Sequence, residues 1–320
     1  MAEDGGMPLS AYEVDLFESS RGRLEAIAYR LLGSAGDAED AVQDTYLRWH
    51  AADRSHIEKP VAWLTKVLTN LCLNQLTSAR ARRETYIGQW LPEPLLAGDP
   101  MLGPADTFEQ RESVSIALLT LMERLSPNER VVYVLREAFG YAHREIAEML
   151  DLTESNCQQI HRRARQHVAS ERTRTEVDAV TAARIVEQFL AAALSGDTEP
   201  LIRLLADDAV TVPDGGGRIA ARRTPVHGAL AIARYLRGLF RPNEHKRALI
   251  GGAPAFHADL VNGAPSVLIE VDGRIVGILS LDVTPDGISA IHVLVNPDKL
   301  RHITGTWAAT GPHAPLAVEW

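Results

Sequence analysis

Two cysteines in 320 residues, Cys72 and Cys157, are too few for a disulfide framework or a cysteine-rich metal site. Both fall on apolar helical faces and read as small core residues in a reducing cytoplasm. No uninterrupted apolar run approaches the ~20 residues of a membrane span, and the N-terminus lacks the basic and apolar regions of a signal peptide. A cytoplasmic protein without membrane contact is therefore expected. An excess of positive charge is missing too: 33 basic residues face 42 acidic ones, a formal net charge of −9. Free-standing DNA-binding proteins are usually basic. A chain with this balance can touch DNA through local clusters while a larger machine holds it. Basic residues do concentrate at 80–83 and 162–165. What the chain has in plenty is hydrophobic content, 46%, ample for folded cores in two or three domains.

Residues 151–168 read DLTESNCQQIHRRARQHV. Wound as a helix from Ser155, this stretch puts Cys157, Ile160, Ala164 and Val168 on one face. Ser155, Gln158, Gln159, Arg162, Arg163, Arg165 and Gln166 cover the other, a side-chain set that suits a major groove. A short amphipathic helix over residues 142–150 precedes it, with Ile146, Ala147 and Leu150 inward, and residues 151–154 make the break. The pair reads as a helix-turn-helix or, equally on pattern alone, as an ordinary helix pair with a solvated basic face.

Nearer the N-terminus, residues 9–85 read as helices with short breaks; residues 1–8 carry no pattern and are expected to be disordered. An amphipathic helix ends at Gly33-Ser34, and a second runs over 37–50 with Ala38, Val42, Thr45, Tyr46 and Trp49 inward. Asp37, Asp40 and Asp44 share another face, and no Lys or Arg lies between Leu31 and Leu47. Acidic residues near a helix start complement its dipole, but Asp44 lies beyond the first turn, so the stripe also suits a basic partner. Pro60 opens a third helix. Val61, Leu64, Leu68, Leu71, Cys72 and Leu76 point toward its core; Trp63, Lys66, Asn70, Asn74 and Thr77 line the other side. An aromatic ring, a cation and two amides can stack on and read single-stranded bases; for Trp63 the alternative is a second core contact.

These motifs carry a resemblance. LLGSAGDAEDAVQDTYLRW followed by PVAWLTKVLTNLCLNQLTSARARR resembles domain 2 of bacterial sigma-70-type factors of the extracytoplasmic-function group, and LSPNERVVYVLREAFGYAHREIAEMLDLTESNCQQIHRRARQHV resembles their domain 4. The resemblance implies core RNA polymerase, through its β′ clamp and β flap, and promoter DNA as partners. It places clamp binding on Asp37, Asp40, Gln43 and Asp44. It places −10 recognition on Ser55, Lys59, Trp63, Lys66, Asn70 and Asn74. The −35 recognition helix falls on Ser155, Asn156, Gln158, Gln159, Arg162, Arg163, Arg165 and Gln166.

Residues 87–110 hold Pro92, Pro94, Pro100 and Pro104, so few regular elements are expected there and an extended connector is predicted. Within it WLPEPL (residues 90–95) sets Trp90 and Leu91 beside the stiff Pro92, which reads as a docking motif for another domain of the chain or as a loosely held linker. Beyond a charged junction at 171–176 the pattern changes. Helices are predicted over 182–194, 200–205 and 229–240, and strands over 209–212, 218–221, 266–271, 275–283 and 288–295, with turns at Asp272-Gly273 and Pro285-Asp286-Gly287. Helices followed by an antiparallel meander predict an α+β cone.

This third resembles the SnoaL-like branch of the nuclear-transport-factor cone. PDGGGR (residues 213–218) and NPDKL (residues 296–300), with WLPEPL, resemble motifs of the SigJ-type group of sigma factors. That group carries such a domain after domain 4, lacks a conventional anti-sigma partner and is governed within the chain. The expected fold is two all-α sigma domains, at 9–86 and 111–172, joined by the 87–110 linker. A SnoaL-like regulatory domain at 177–303 and a tail at 304–320 follow. Three glycines permit positive φ and close approach, so PDGGGR is either a tight hairpin or a loop against which another segment presses, with Asp214 and Arg218 making polar contacts. Trp90, Leu91, Pro92, Asp214, Gly215, Gly216, Gly217, Arg218, Asn296, Pro297 and Asp298 are the candidate regulatory contacts. Asp282, His257 and His292 are the acid–base candidates of the cone and the sequence places no pair of them with catalytic geometry, so catalysis is not expected; nor is a metal or cofactor. A concave apolar interior leaves room for a small ligand of unread identity. Two other functions are weighed against a sigma factor: a cone enzyme fused to DNA-binding domains, and a polymerase-independent helix-turn-helix regulator.

Overall fold

The computed structural model describes residues 9–84, 86–103, 108–168, 179–219, 221–311 and 313–317, with the side chains of 79–84, 108, 109 and 179 excepted. Residues 1–8, the junction 171–176 and the side chains of the basic run 80–83 lie outside that description. The chain forms two compact units. Most of the first 168 residues make one, and the second combines the strap 86–97 with the chain from 179 onward.

The first unit is helical: α1 (Ala11–Leu32), α2 (Ala35–Ala51), α3 (Pro60–Glu84), α4 (Phe108–Glu112), α5 (Ile116–Met122), α6 (Pro127–Glu137), α7 (His143–Leu150) and α8 (Glu154–Val168). Local chemistry sets the ends. Ser10 and Glu13 form a capping box on α1, whose last turn stops at Gly33 in the left-handed region (φ 67°). Ser34 then caps α2 through the Asp37 amide. Ser126 and Glu129 repeat the box on α6, with Pro127 at its first position.

Two arginines are sealed inside. Among the described residues Arg30 meets no carboxylate; it donates to the carbonyls of Ala26 (3.2 Å) and Leu102 (2.6 Å) and to the Ser113 hydroxyl (2.8 Å). Arg130 pairs with Glu123 and also donates to the Arg30 carbonyl at 3.3 Å. Burial lowers both guanidinium pKa values, to about 10 and about 9, so both stay charged at neutral pH. Residues 98–103 are thereby packed on α1, not extended as the proline content suggested: Gly103 (φ 64°) lies so close that a Cβ there would sit 2.5 Å from Ala26.

The second unit holds α9 (Ala179–Leu194), α10 (Glu199–Leu204), β1 (Leu205–Asp214), β2 (Val226–His227), α11 (Ala229–Phe240), α12 (Glu244–Ile250), β3 (Ala255–Val261), β4 (Ala264–Val271), β5 (Arg274–Thr284), β6 (Gly287–Leu294) and α13 (Arg301–Ala309). Its sheet has the order β2-β1-β6-β5-β4-β3. Strands β3 to β6 form the antiparallel meander, while β1 runs parallel to β6. One face packs Val267, Leu279, Leu281, Ile291 and Val293 against α9 and α11. The other packs Leu268, Ile278 and Leu294 against α13 and the strap residues Leu91 and Leu96.

Three expectations need correction. Where a strand was anticipated at 218–221, Arg218 and Ile219 lie in a turn and Ala220 lies outside the described residues; Gly216 (φ 57°) and Gly217 (φ 71°) reverse the chain before it can extend. The chain beyond 303 is not merely a tail: α13 continues to Ala309 with Trp307 buried, and Ala317 pairs with Phe256 on the outer edge of β3. The linker is no free connector. Its prolines remove donors, yet the N–H groups of Leu91, Leu95 and Ala97 are all accepted within the second unit.

Candidate functional site

The helix-turn-helix is built by α7 and α8. Asp151 closes α7 in the left-handed region (φ 54°), and the Thr153 hydroxyl accepts from the Asn156 amide to start α8. Cys157, Ile160, Ala164 and Val168 are buried as the periodicity required, and so is His161. Its Nε2 lies 2.7 Å from Glu137 and its Nδ1 lies 3.2 Å from His143. Burial, then the His161 ring beside it, lowers the His143 pKa. Ser155, Asn156, Gln158, Gln159, Arg162, Arg163, Arg165 and Gln166 are all exposed on the opposite side. The two cysteines are free and buried; burial raises both thiols, Cys72 to about 12, which leaves them unreactive.

On α2, Asp40, Gln43 and Asp44 are exposed and Asp37 is partly so. Leu47, one turn on, is 54% exposed and adds an apolar spot to this acidic stripe. The loop after α2 is pinned. Arg54 bonds Glu13 at 2.7 Å and the carbonyls of Trp49 and His50 at 2.9 Å each, so Ser55 and Lys59 are displayed from a fixed turn. That arginine carried no sequence signal, because its partner lies 41 residues away. Trp63 is half-buried, its ring 5.5 Å from that of buried Trp49 and tilted 54° to it, so it makes the core contact weighed for it while part of it stays exposed. Val61, expected inward, is 45% exposed. Asn74 is exposed and Asn70 partly so. Lys66 is engaged: its Nζ donates at 3.0 Å to Asp151 Oδ1, in the turn of the helix-turn-helix, and to the Glu148 carbonyl at the end of α7. Thr65 meets Tyr141 at 3.2 Å beside it, and Arg23 lies over the rings of Phe139 and Tyr141 at 5.2 Å each.

The second unit concentrates its polar chemistry on Asp214, the last residue of β1, which is fully buried. Its Oδ1 accepts from the Tyr86 hydroxyl at 2.6 Å and the Gly216 amide at 3.0 Å. Its Oδ2 accepts from the Leu91 amide at 2.9 Å and Lys299 Nζ at 2.7 Å. Lys299 also donates to the Leu91 carbonyl at 2.5 Å and sits over the rings of Trp90 (4.3 Å) and Tyr86 (4.7 Å). Asn296 donates to the Tyr86 hydroxyl at 2.8 Å and caps the turn through the Asp298 amide. Burial, then the Asp214 hydrogen bond, raises the Tyr86 pKa. Gly216 is obligatory here: a Cβ would stand 2.3 Å from the Asn296 amide. Leu91 and Pro92 are buried and Pro297 begins the 3-10 turn, while Arg218 and Asp298 make an outer pair at 3.3 Å. The three motifs WLPEPL, PDGGGR and NPDKL thus meet around one carboxylate. Lys299 and Tyr86 are the members that sequence reasoning missed.

Asp282 and His292 pair at 3.0 Å on the face opposite Val293, and His257 lies 3.0 Å from Glu270. None of the three lines the cavity of the sheet domain. No helix among the described residues is long and apolar enough to cross a membrane, and no group of His, Cys, Asp and Glu among them could hold a metal.

Two family models match: sigma-70 region 2 over residues 16–82 and sigma-70 region 4 over residues 115–168. The ECF RNA polymerase sigma factor SigJ of Mycobacterium tuberculosis is 35% identical over 295 residues, which cover 90% of this chain and 93% of that one. The chain belongs to the extracytoplasmic-function sigma-70 family. A probable ECF sigma factor of the same organism, SigI, is 32% identical over 89% of this chain and 93% of its own. The crystal structure of M. tuberculosis SigJ superposes with a TM-score of 0.69 at 32% identity, covering 89% of this chain and 97% of that one. As an ECF sigma factor, the protein has sigma domains 2 and 4 followed by a helix-plus-sheet domain, and its role lies in transcription initiation. Core RNA polymerase and promoter DNA are the partners that the family implies.

Proposed function

We propose that this sigma factor is controlled in cis by its sheet domain, without a conventional anti-sigma partner. In this reading the α2 stripe of Asp37, Asp40, Gln43 and Asp44 docks on the polymerase β′ clamp and domain 4 meets the β flap. Ser55, Lys59, Trp63, Lys66, Asn70 and Asn74 read the −10 element, and the exposed side of α8 from Ser155 to Gln166 reads the −35 element. The work is done in the cytoplasm, where polymerase and promoter are, and no catalysis is assigned to the sheet domain.

The observation that carries control in cis is the fourfold capture of Asp214. The strap that follows α3 begins in a network where each hydrogen bond to a charged group contributes about 1.5–3 kcal/mol. Its amides are bonded again by Asn262 at 2.9 Å and the Leu260 carbonyl at 3.0 Å. Such a strap limits how far domains 2 and 4 can separate. Run-off transcription with core polymerase on a cognate promoter tests this. Asp214→Ala is expected to change transcript yield at least about threefold, a shift of under 1 kcal/mol in a two-state balance, with promoter preference unaltered. Equal yields from the variant and the parent chain would remove the proposal.

A further inference from the structure

We propose that the cavity between the sheet and helices α11 and α12 is a binding site for an amphipathic carboxylate, with its apolar body inside and its carboxylate at Arg274. The cavity measures about 630 Å³, within the range of small-molecule sites. Phe240, Phe256, Ile269, Val293 and Leu239 supply apolar walls, and none of the described residues lining it is acidic. An unpaired carbon chain or ring gains by leaving water for such walls, whereas a buried cation would find no counter-charge.

The cations around the cavity are not equivalent. Lys246 caps the end of α11, donating to the carbonyls of Gly238, Leu239 and Arg241. Arg301 is held by Asp298 at 3.2 Å. Arg274 opens β5 at the rim, is exposed, and has no ion pair among the described residues. Its guanidinium fork matches a carboxylate in two parallel hydrogen bonds. Helix α12 points the same way. It buries none of its residues, yet Ile250 lines the cavity and Leu249, also lining it, is 48% exposed. Gly251 ends it at φ 90°. A short helix with apolar residues over a cavity and a glycine at its end suits a cover that settles on a bound apolar body.

The test uses the intact chain and the fluorescent fatty acid 11-(dansylamino)undecanoate. Saturable one-to-one binding at roughly micromolar affinity is expected, displaced by decanoate at about tenfold lower concentration than by decanol. Arg274→Glu is expected to weaken the probe at least about tenfold, and Leu239→Trp, which fills the cavity, to abolish binding. Thermal melts of both variants that match the parent chain exclude unfolding as the cause. Absence of saturation overturns the proposal. So does binding that neither substitution alters, or displacement by decanol as readily as by decanoate. None of these readouts depends on polymerase, so failure here leaves control in cis untouched.

Discussion

Lys299 shows what a single buried charge does in this molecule. It is nine-tenths enclosed, and its ammonium is shared between the Asp214 carboxylate, the Leu91 carbonyl and two aromatic faces. Removing one partner of such a pair leaves the other charged and buried, a loss of about 3–5 kcal/mol. Lys299→Met is therefore expected to lower the melting temperature of the sheet domain, and Asp214→Asn/Lys299→Met to recover part of the loss. A single variant that melts with the parent would contradict the network. A second residue-scale expectation concerns pH. His143 has its pKa lowered by burial and by His161, so the folded state binds fewer protons than the unfolded one below about pH 6.5. Stability from this site is complete above that pH and declines as pH falls toward the depressed value. Melts between pH 5.5 and 7.5 should show a slope that His143→Gln reduces. Neither residue was legible as a partner in sequence: Lys299 stands 85 positions from Asp214, and spacing carries no information over that distance.

Elements differ in how plainly their sequence announces them. Helix α8 could be read because its inward residues recur at helical spacing and its outward face has no apolar interruption. The Asp272-Gly273 hairpin was equally plain, since both residues adopt the positive φ that a tight strand reversal needs. Strand β3 was missed: AFHADLV breaks alternation, and its edge is completed by Leu96 and Ala317, which lie far away in the chain. Strand β2 has two residues and no periodicity to detect. The contact between α3 and the α7–α8 turn was also invisible, because Lys66 reads equally well as a DNA contact and as a partner for Asp151. That exposed ion pair contributes only about 0–1 kcal/mol, so it is easily exchanged for a nucleic acid. Asp151→Asn keeps a residue tolerant of φ 54° and removes the charged partner of Lys66; it is expected to tighten binding of a single-stranded −10 oligonucleotide about two- to fivefold. Unchanged affinity would sever Lys66 from the −10 surface. On α2, Asp44→Arg should weaken core-polymerase capture while the thermal melt stays put, because Asp44 is exposed and supports no core contact. Unchanged capture would move the clamp site elsewhere.

At the scale of the molecule, the first unit holds domains 2 and 4 in contact. In the proposed reading the −10 and −35 elements, centred about 25 base pairs apart, lie about 85 Å apart along the duplex, so the surfaces assigned to them would have to part at the Lys66–Asp151 contact. Opening would also uncover Arg130, which donates to the Arg30 carbonyl across that contact, and regained hydration would offset part of the lost packing. A strap of fixed length, bonded into the sheet domain, is suited to bias such a balance, which a few kcal/mol can invert. The direct measurement is the distance between dyes on Ser19→Cys and Arg144→Cys, exposed positions outside the assigned DNA and clamp surfaces, while the native thiols stay buried and unreactive. A short distance in the free chain that lengthens by tens of ångströms in the polymerase–promoter complex is expected. The same short distance in a complex that makes transcript would contradict the opening of domains 2 and 4.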